Sequence, residues 1–266
     1  MPQSLSLEAI ARSLALSAPG SPLVYAPILA STQDTARSLA LAGAPAGTVI
    51  LADAQTAGRG THGRSWITTP GSAILLSVLV PRPPEGISGV WHTMVGGIAV
   101  VEAVRATCGI ETALTWPNDV MLDGGKVAGV LTEALAGGLP AVLGIGINCA
   151  VPDVCLPPDA APPAGLEQKV RRPLQRELLI VALLDRLAYW QSCIQAGDTA
   201  LIHAHWSSAL QTLRRRVALT LGDSVFTGTA LDVDAHGALR ILLDSGEERL
   251  FSSGRLREVP NTVPAR

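Results

Sequence analysis

The chain has 266 residues, 48% of them hydrophobic and 16% charged, which fits one large domain with a buried core, or a domain plus a small appendage, and excludes a disordered chain. A net charge of −2 with no basic stripe argues against a nucleic-acid surface, and Arg214-Arg215-Arg216 is too short a run, reading instead as a solvated helix end. The four cysteines form no Cys-x-x-Cys pair, His203 and His205 fall on different helix faces, and Glu8 and Arg12 break up the N-terminal apolar stretch, so the chain is expected to be a cytoplasmic protein with reduced thiols, no secretory leader and no membrane span.

In chain order, residues 5–17 read as a short amphipathic helix and Val24–Leu29 as a strand. Ser31-Thr32 stands where an N-cap belongs and opens a helix through about Leu41. A strand over Gly47–Ala52 leads into a glycine-rich loop, Ala57–Ser65, and Ser72–Val80 is a further strand stopped by the prolines at 81–84. Ser88–Thr107 has helical periodicity; Gly96-Gly97 weakens the helix but would allow close packing. From Thr112 to Asn148 the pattern is short strands separated by the turns Asp123-Gly124-Gly125 and Gly137-Gly138, an antiparallel meander rather than a βαβ series. A proline-rich linker covers 151–173, and helices cover 174–196 and 199–213. Four short strands between Val217 and Phe251, with Gly and Asp turns, then suggest a small barrel beginning near residue 214.

The strongest local signal is the loop Gly58-Arg59-Gly60-Thr61-His62-Gly63-Arg64-Ser65-Trp66. Glycines let backbone N–H groups approach a ligand, arginines suit carboxylate or phosphate, and Trp66 offers a flat apolar face. The combination suits an anionic ligand with a ring, such as a nucleotide, and its glycine content and exposed polar residues leave it few contacts of its own. Familiar nucleotide loops are absent: Gly144-x-Gly146 ends a strand, and Gly125-Lys126 is followed by Val127. Lys126, at a strand start, either reaches a phosphate or is a surface lysine. Asp119 either holds magnesium or forms a turn, and Asn148 either meets an adenine edge or caps a strand.

Taken together, Ser31-Thr32, Gln55, Gly58-Arg59-Gly60-x-x-Gly63-Arg64-x-Trp66, Trp116-Pro117-Asn118-Asp119, Lys126-x-x-Gly129-Val130-Leu131-x-Glu133 and Gly144-x-Gly146-x-Asn148 resemble the catalytic domain of biotin protein ligases. The match runs from about residue 23 to residue 259. It implies an α+β fold related to class II aminoacyl-tRNA synthetases: a mixed, largely antiparallel sheet with helices over residues 1–213, and an SH3-like barrel over 214–266. It also implies the reaction, in which ATP activates biotin as biotinyl-5′-AMP for transfer to a lysine of a carboxylase's biotin carboxyl carrier domain.

Carried over, Ser31, Thr32 and Gln55 bind the ureido head of biotin. Gln33, Gly58, Arg59, Gly60, Thr61 and Gly129 complete its pocket and cover its tail. Lys126 stabilises charge at carboxylate and α-phosphate, with Arg59 and Asp119 as the other catalytic residues. Arg64, Trp66, Asn118 and Asn148 join Lys126 around ATP, with Trp66 and Asn148 on the adenine, and Asp119 lies near Mg2+. Three residues depart from the family's frequent pattern: Gln33 for Asn, Thr115 for a Lys beside the triphosphate, and Thr61 for an Arg beside the intermediate. The rival readings are a lipoate or octanoate transferase on the same fold and a non-catalytic biotin sensor. A ligase that doubles as a repressor would carry a winged helix, for which the roughly twenty residues before the first strand are too few; no DNA partner is expected, and the oligomeric state is left open.

Overall fold

The computed structural model describes residues 4–14, 20, 22–154 and 160–260. The end of the expected first helix (15–17), Cys155, the middle of the linker and the last six residues lie outside the described residues. Twelve strands and six α-helices are assigned within them. A seven-stranded sheet has the order β1-β2-β3-β7-β6-β5-β4, formed by Leu23–Leu29, Val49–Gln55, Ala73–Val80, Ala141–Asn148, Gly125–Glu133, Asp119–Leu122 and Ala113–Thr115 respectively. β1 and β2 are parallel and joined through α2 (Thr32–Leu41); every other pair is antiparallel, and the run from β4 to β7 is the meander expected over Thr112–Asn148. Ser31 caps α2, its Oγ accepting from Gln33 N (3.2 Å) and Asp34 N (3.5 Å), a cap worth ~1 kcal/mol.

Side chains alternate across a strand, and this alternation separates the core from the site. On β3, Ile74, Leu76, Val78 and Val80 join the large core beneath α3 (Val90–Cys108) and α5 (Arg176–Ala196). Leu79, on the opposite face, packs with Ala36 and Ala40 of α2. Gly96 and Gly97 do permit close packing: a Cβ at Gly96 would lie 2.8 Å from Val130 Cγ1, and one at Gly97 would lie 3.0 Å from Leu114 Cδ2. Among the described residues no helix is long and apolar enough to cross a membrane.

Beyond α6 (Thr199–Ala209), β8 (Arg216–Leu221), β9 (Ser224–Val233), β10 (Leu239–Leu243), β11 (Glu248–Phe251) and β12 (Arg255–Glu258) make a five-stranded antiparallel sheet of order β11-β10-β9-β8-β12. The expected helix over 199–213 stops at Ala209 because the following residues bond elsewhere. Gln211 N donates to Leu114 O (2.9 Å), and the buried Thr212 Oγ1 accepts from Trp116 N (3.1 Å). β12 lacks an apolar alternation and was not expected; its charges suit the edge position it takes beside β8. α4 (Leu166–Val170), inside the linker, is too short to show periodicity.

α3 buries His92 completely, against Gln191 and the Pro81 carbonyl. Burial disfavours the charged ring and pulls its pKa down to about 4, although those two neighbours act in the opposite direction. Below the ordinary value of 6.5 the unfolded chain takes up a proton here and the folded chain does not. The stability associated with a neutral His92 is therefore complete above pH 6.5 and is lost as pH falls toward 4, by about 3 kcal/mol. His92→Leu is expected to flatten that part of the acid profile, as measured by urea unfolding of both proteins between about pH 7 and pH 4.5.

Candidate active site

On the α2 face of the central sheet lies a cavity of about 300 Å³. Its floor is the face of β3, β7 and β6 that carries Leu75, Ser77, Gly144, Gly146, Gly129 and Leu131. At one end Ser31, Thr32, Gln33, Gln55 and Ser77 form a connected polar group. Thr32 donates to Gln55 Oε1 through both its backbone N (2.7 Å) and its hydroxyl (3.1 Å). The Ser77 hydroxyl lies 3.0 Å from Thr32 Oγ1 and 3.1 Å from Gln33 Oε1, and with a single proton it can donate to only one of them. Gln33 Nε2 donates to Val142 O (3.3 Å), and Gln33 Oε1 lies where a Cβ at Gly144 would overlap it at 2.4 Å. Gln33 Nε2 is thus engaged by Val142 and its Oε1 lies within reach of Ser77, while the Ser31 hydroxyl hydrogen, its oxygen already capping α2, and the Gln55 amide nitrogen are the donors left for a ligand among the described residues.

Further along, Lys126 and Asp119 form an ion pair of 2.6 Å, each about one-fifth exposed. β6 begins at the turn before Lys126, and β5 begins at Asp119 opposite Gly129, so the two side chains project from neighbouring strands. Asn118 is locked, with Nδ2 donating to Val130 O (2.6 Å), and Asn148 Nδ2 donates to Lys126 O (3.3 Å). The Trp66 indole lies across the glycine floor: a Cβ at Gly146 would come within 2.5 Å of it, and one at Gly129 within 3.1 Å. Lys126 Nζ sits 5.4 Å from the ring centroid, close enough for a cation–π contact. The buried Trp66 Nε1 has no hydrogen-bond partner among the described residues.

The glycine loop has more contacts of its own than its composition predicts. Arg59 and Ser65 form a β-bridge, Gly60 N donates to Arg64 O (2.7 Å) and Trp66 N to Gly58 O (2.9 Å). Arg59 donates to Asp34 (2.7 Å) and Glu133 (2.5 Å), and those carboxylates, Asp34 foremost, hold its guanidinium above its ordinary pKa.

The cavity brings together Ser31, Thr32, Gln33, Gln55, Arg59, Gly60, Thr61, Arg64, Trp66, Asn118, Asp119, Lys126, Gly129 and Asn148, every residue expected at the site except Gly58. Gly58 lies behind the wall, where a Cβ would stand 2.3 Å from Trp66 O and 2.8 Å from Gln55 Nε2; its lack of a side chain lets the loop fold onto Gln55. Thr115 also lies outside the cavity and accepts from Gln211 Nε2 (2.9 Å).

Two features of the site have no signal in the sequence. Ser77 sits in a strand that reads as uniformly apolar, and a lone serine there signals nothing by itself. The linker residues Pro152, Ala160, Ala161 and Pro163 line the cavity, because Lys126 exchanges backbone hydrogen bonds with Pro162 O (2.7 Å) and Ala164 N (2.9 Å). Proline-rich composition suggests a loop but not what the loop covers.

The model of the Biotin/lipoate A/B protein ligase family matches residues 25–149, and that of the biotin protein ligase C terminal domain matches residues 212–255. The chain is 34% identical over 232 residues to the biotin--[acetyl-CoA-carboxylase] ligase of Paracoccus denitrificans, covering 82% of this chain and 91% of that one. It is 32% identical over 260 residues to the bifunctional ligase/repressor BirA of Bacillus subtilis, covering 95% and 79%. The solved structure of a biotin protein ligase from Aquifex aeolicus in complex with biotin and ATP matches it with a TM-score of 0.75 at 28% identity, over 89% of this chain and 98% of that one. The chain belongs to the biotin protein ligase family.

Proposed function

We propose that the protein activates biotin with ATP and transfers it to a lysine of a biotin carboxyl carrier domain. The observation that carries this reading is the layout of one cavity, with a polar group suited to a ureido head at one end and Lys126, Asn148 and Trp66 at the other. In the first step an oxygen of the biotin carboxylate attacks the α-phosphorus of ATP, and pyrophosphate leaves. In the second, the amine of the carrier lysine attacks the carbonyl carbon of the mixed anhydride, an amide forms and AMP leaves with the bonding electrons. Neither step needs a protein nucleophile; positioning and charge stabilisation supply the catalysis.

In this reading Ser31, Thr32 and Gln55 bind the ureido head, and Gln33 acts through Ser77 to set their geometry. Arg59, Gly60, Thr61 and Gly129 enclose the tail, and Gly58 shapes the loop from behind. Lys126 stabilises charge between carboxylate and α-phosphate once the incoming anion replaces Asp119 as its partner. Trp66 and Asn148 take the adenine, while Asn118 and Arg64 complete the nucleotide end. Asp119 is the one carboxylate lining the cavity among the described residues; magnesium carried on a triphosphate takes one or two carboxylates, so a single Asp fits. We take residues 1–213 as the catalytic unit and 214–266 as the C-terminal unit, and place the enzyme in the cytoplasm with its substrates.

The deciding experiment is incubation with ATP, magnesium, labelled biotin and a carrier domain, followed by mass spectrometry. A carrier gaining one biotin on lysine is expected; no transfer, with biotin bound, would indicate a sensor. Lys126→Ala should lower pyrophosphate release by about 10²–10³-fold with the fold intact; near-native release would remove Lys126 from the chemistry. Biotin should bind well ahead of lipoate or octanoate, which leave the ureido-binding groups unpaired; equal affinity in competition calorimetry would favour the transferase reading. Gly146→Ala puts a methyl into the Trp66 ring and should shift the Trp66 indole N–H resonance, weakening ATP binding roughly tenfold as an aromatic contact is lost. An unchanged spectrum and affinity would detach Trp66 from the nucleotide.

A further inference from the structure

Among the described residues three cations line the cavity: Arg59, Arg64 and Lys126. Two of them already face carboxylates, Lys126 on Asp119 at 2.6 Å, and Arg59 on Asp34 at 2.7 Å and Glu133 at 2.5 Å. Arg64 faces none among the described residues. Instead its guanidinium folds back over the turn before it, Nε donating to the Thr61 carbonyl (3.3 Å) and Nη2 to the Thr61 hydroxyl (3.0 Å).

The backbone makes that approach possible. Thr61–Gly63 is a single 3-10 turn with Gly63 in the left-handed region at φ 71°. Arg64 N donates to Thr61 O (3.2 Å) and Arg64 O accepts from Gly60 N (2.7 Å), which pinches the turn shut. Residues 61 and 64 are thereby brought side by side at the cavity wall.

We propose that Thr61 is a positioning residue, holding Arg64 as the docking point in this cavity for an anionic oxygen of the reacting pair, whether carboxylate or triphosphate. The proposal rests on the biotin-and-ATP reading above. An arginine already paired with a carboxylate must exchange one anion for another when the ligand arrives, whereas one held by a neutral hydroxyl keeps its charge for the ligand. Two of its five N–H donors are used by Thr61 and three remain. Holding the long side chain in place beforehand also removes part of the ordering cost of binding.

The test uses Thr61→Val, which removes the hydroxyl at nearly constant volume, and Thr61→Ser, which keeps it. Biotin and a non-hydrolysable ATP analogue are titrated separately by calorimetry. Thr61→Val should weaken one of the two ligands by roughly three- to tenfold, the range expected for a single hydrogen bond, with Thr61→Ser restoring native affinity. The ligand affected identifies the source of the anion. Arg64→Ala should weaken the same ligand, and in that background Thr61→Val should have no further effect. Native affinity for both ligands in Thr61→Val, or losses that simply add in the double variant, would overturn the proposal. A native protein that binds neither ligand would instead overturn the functional reading, and this inference with it.

Discussion

The site depends on three missing side chains. Gly129, Gly144 and Gly146 occupy the same face of the β6–β7 hairpin, with Gly129 paired to Gly146 across the ladder. A Cβ at Gly144 would overlap Gln33 and one at Gly146 would overlap Trp66, while one at Gly129 would press on Trp66 and Lys126 at 3.1–3.2 Å. Beside this floor, Ile50, Leu79 and Val142 pack against Ala36 and Ala40 of α2. Only where the hairpin is bare can a polar group from α2 and an indole from the loop lie against the backbone with space left for a ligand. Glycine is unfavourable in a strand interior, by roughly 0.5–1 kcal/mol relative to alanine. Three in register on one face mark the site's floor, where that stability is given up.

The second constraint is electrostatic. A site for a carboxylate and a triphosphate needs cations, yet cations crowded into a partly buried cavity repel one another and lose hydration. Here Asp119 faces Lys126, while Asp34 and Glu133 face Arg59. Each pair keeps its cation oriented and compensated without ligand. Binding then exchanges one anion for another, a smaller change in solvation than charging a bare cavity would be.

Sequence and structure agree most closely where chemistry is local. The Ser31 cap, the strand ending at Asn148 and the turn before Lys126 follow from residues within a few positions of one another, whereas the strand expected over Gly47–Ala52 runs on to Gln55. The glycines of the loop from Gly58 to Gly63 were legible as a ligand loop, whereas Gly144 and Gly146 read only as the end of a strand and not as the floor of a cavity. What sequence could not supply is pairing over distance. Ser77 meets Thr32 and Gln33 across 45 and 44 residues. Pro162 meets Lys126 only because the linker returns to the strand that begins there. Gln33, expected at the site from its place after Ser-Thr, lines the cavity and also meets Val142 and Ser77, and neither of these partners is near it in the chain. Thr115 sits one residue from the site motif, yet strand alternation turns it toward Gln211.

Trp116-Pro117-Asn118-Asp119 shows how a short motif can serve two places at once. Trp116 is buried and points away from the cavity, its Nε1 donating to Gly237 O (2.8 Å) in the turn between β9 and β10. Gly237 has φ 78°, and a Cβ there would overlap Met94 Cε at 2.0 Å, so the turn sits hard against α3. Two residues on, Asn118 is fixed to Val130 and Asp119 faces Lys126. A buried indole N–H left without its acceptor is costly, and Trp116 finds that acceptor only when the C-terminal sheet is docked. The motif that supplies the cavity's only carboxylate among the described residues is therefore complete at its Trp116 end only with the second sheet in place. The C-terminal strands act on the site through packing and one hydrogen bond, without contributing any residue to its lining.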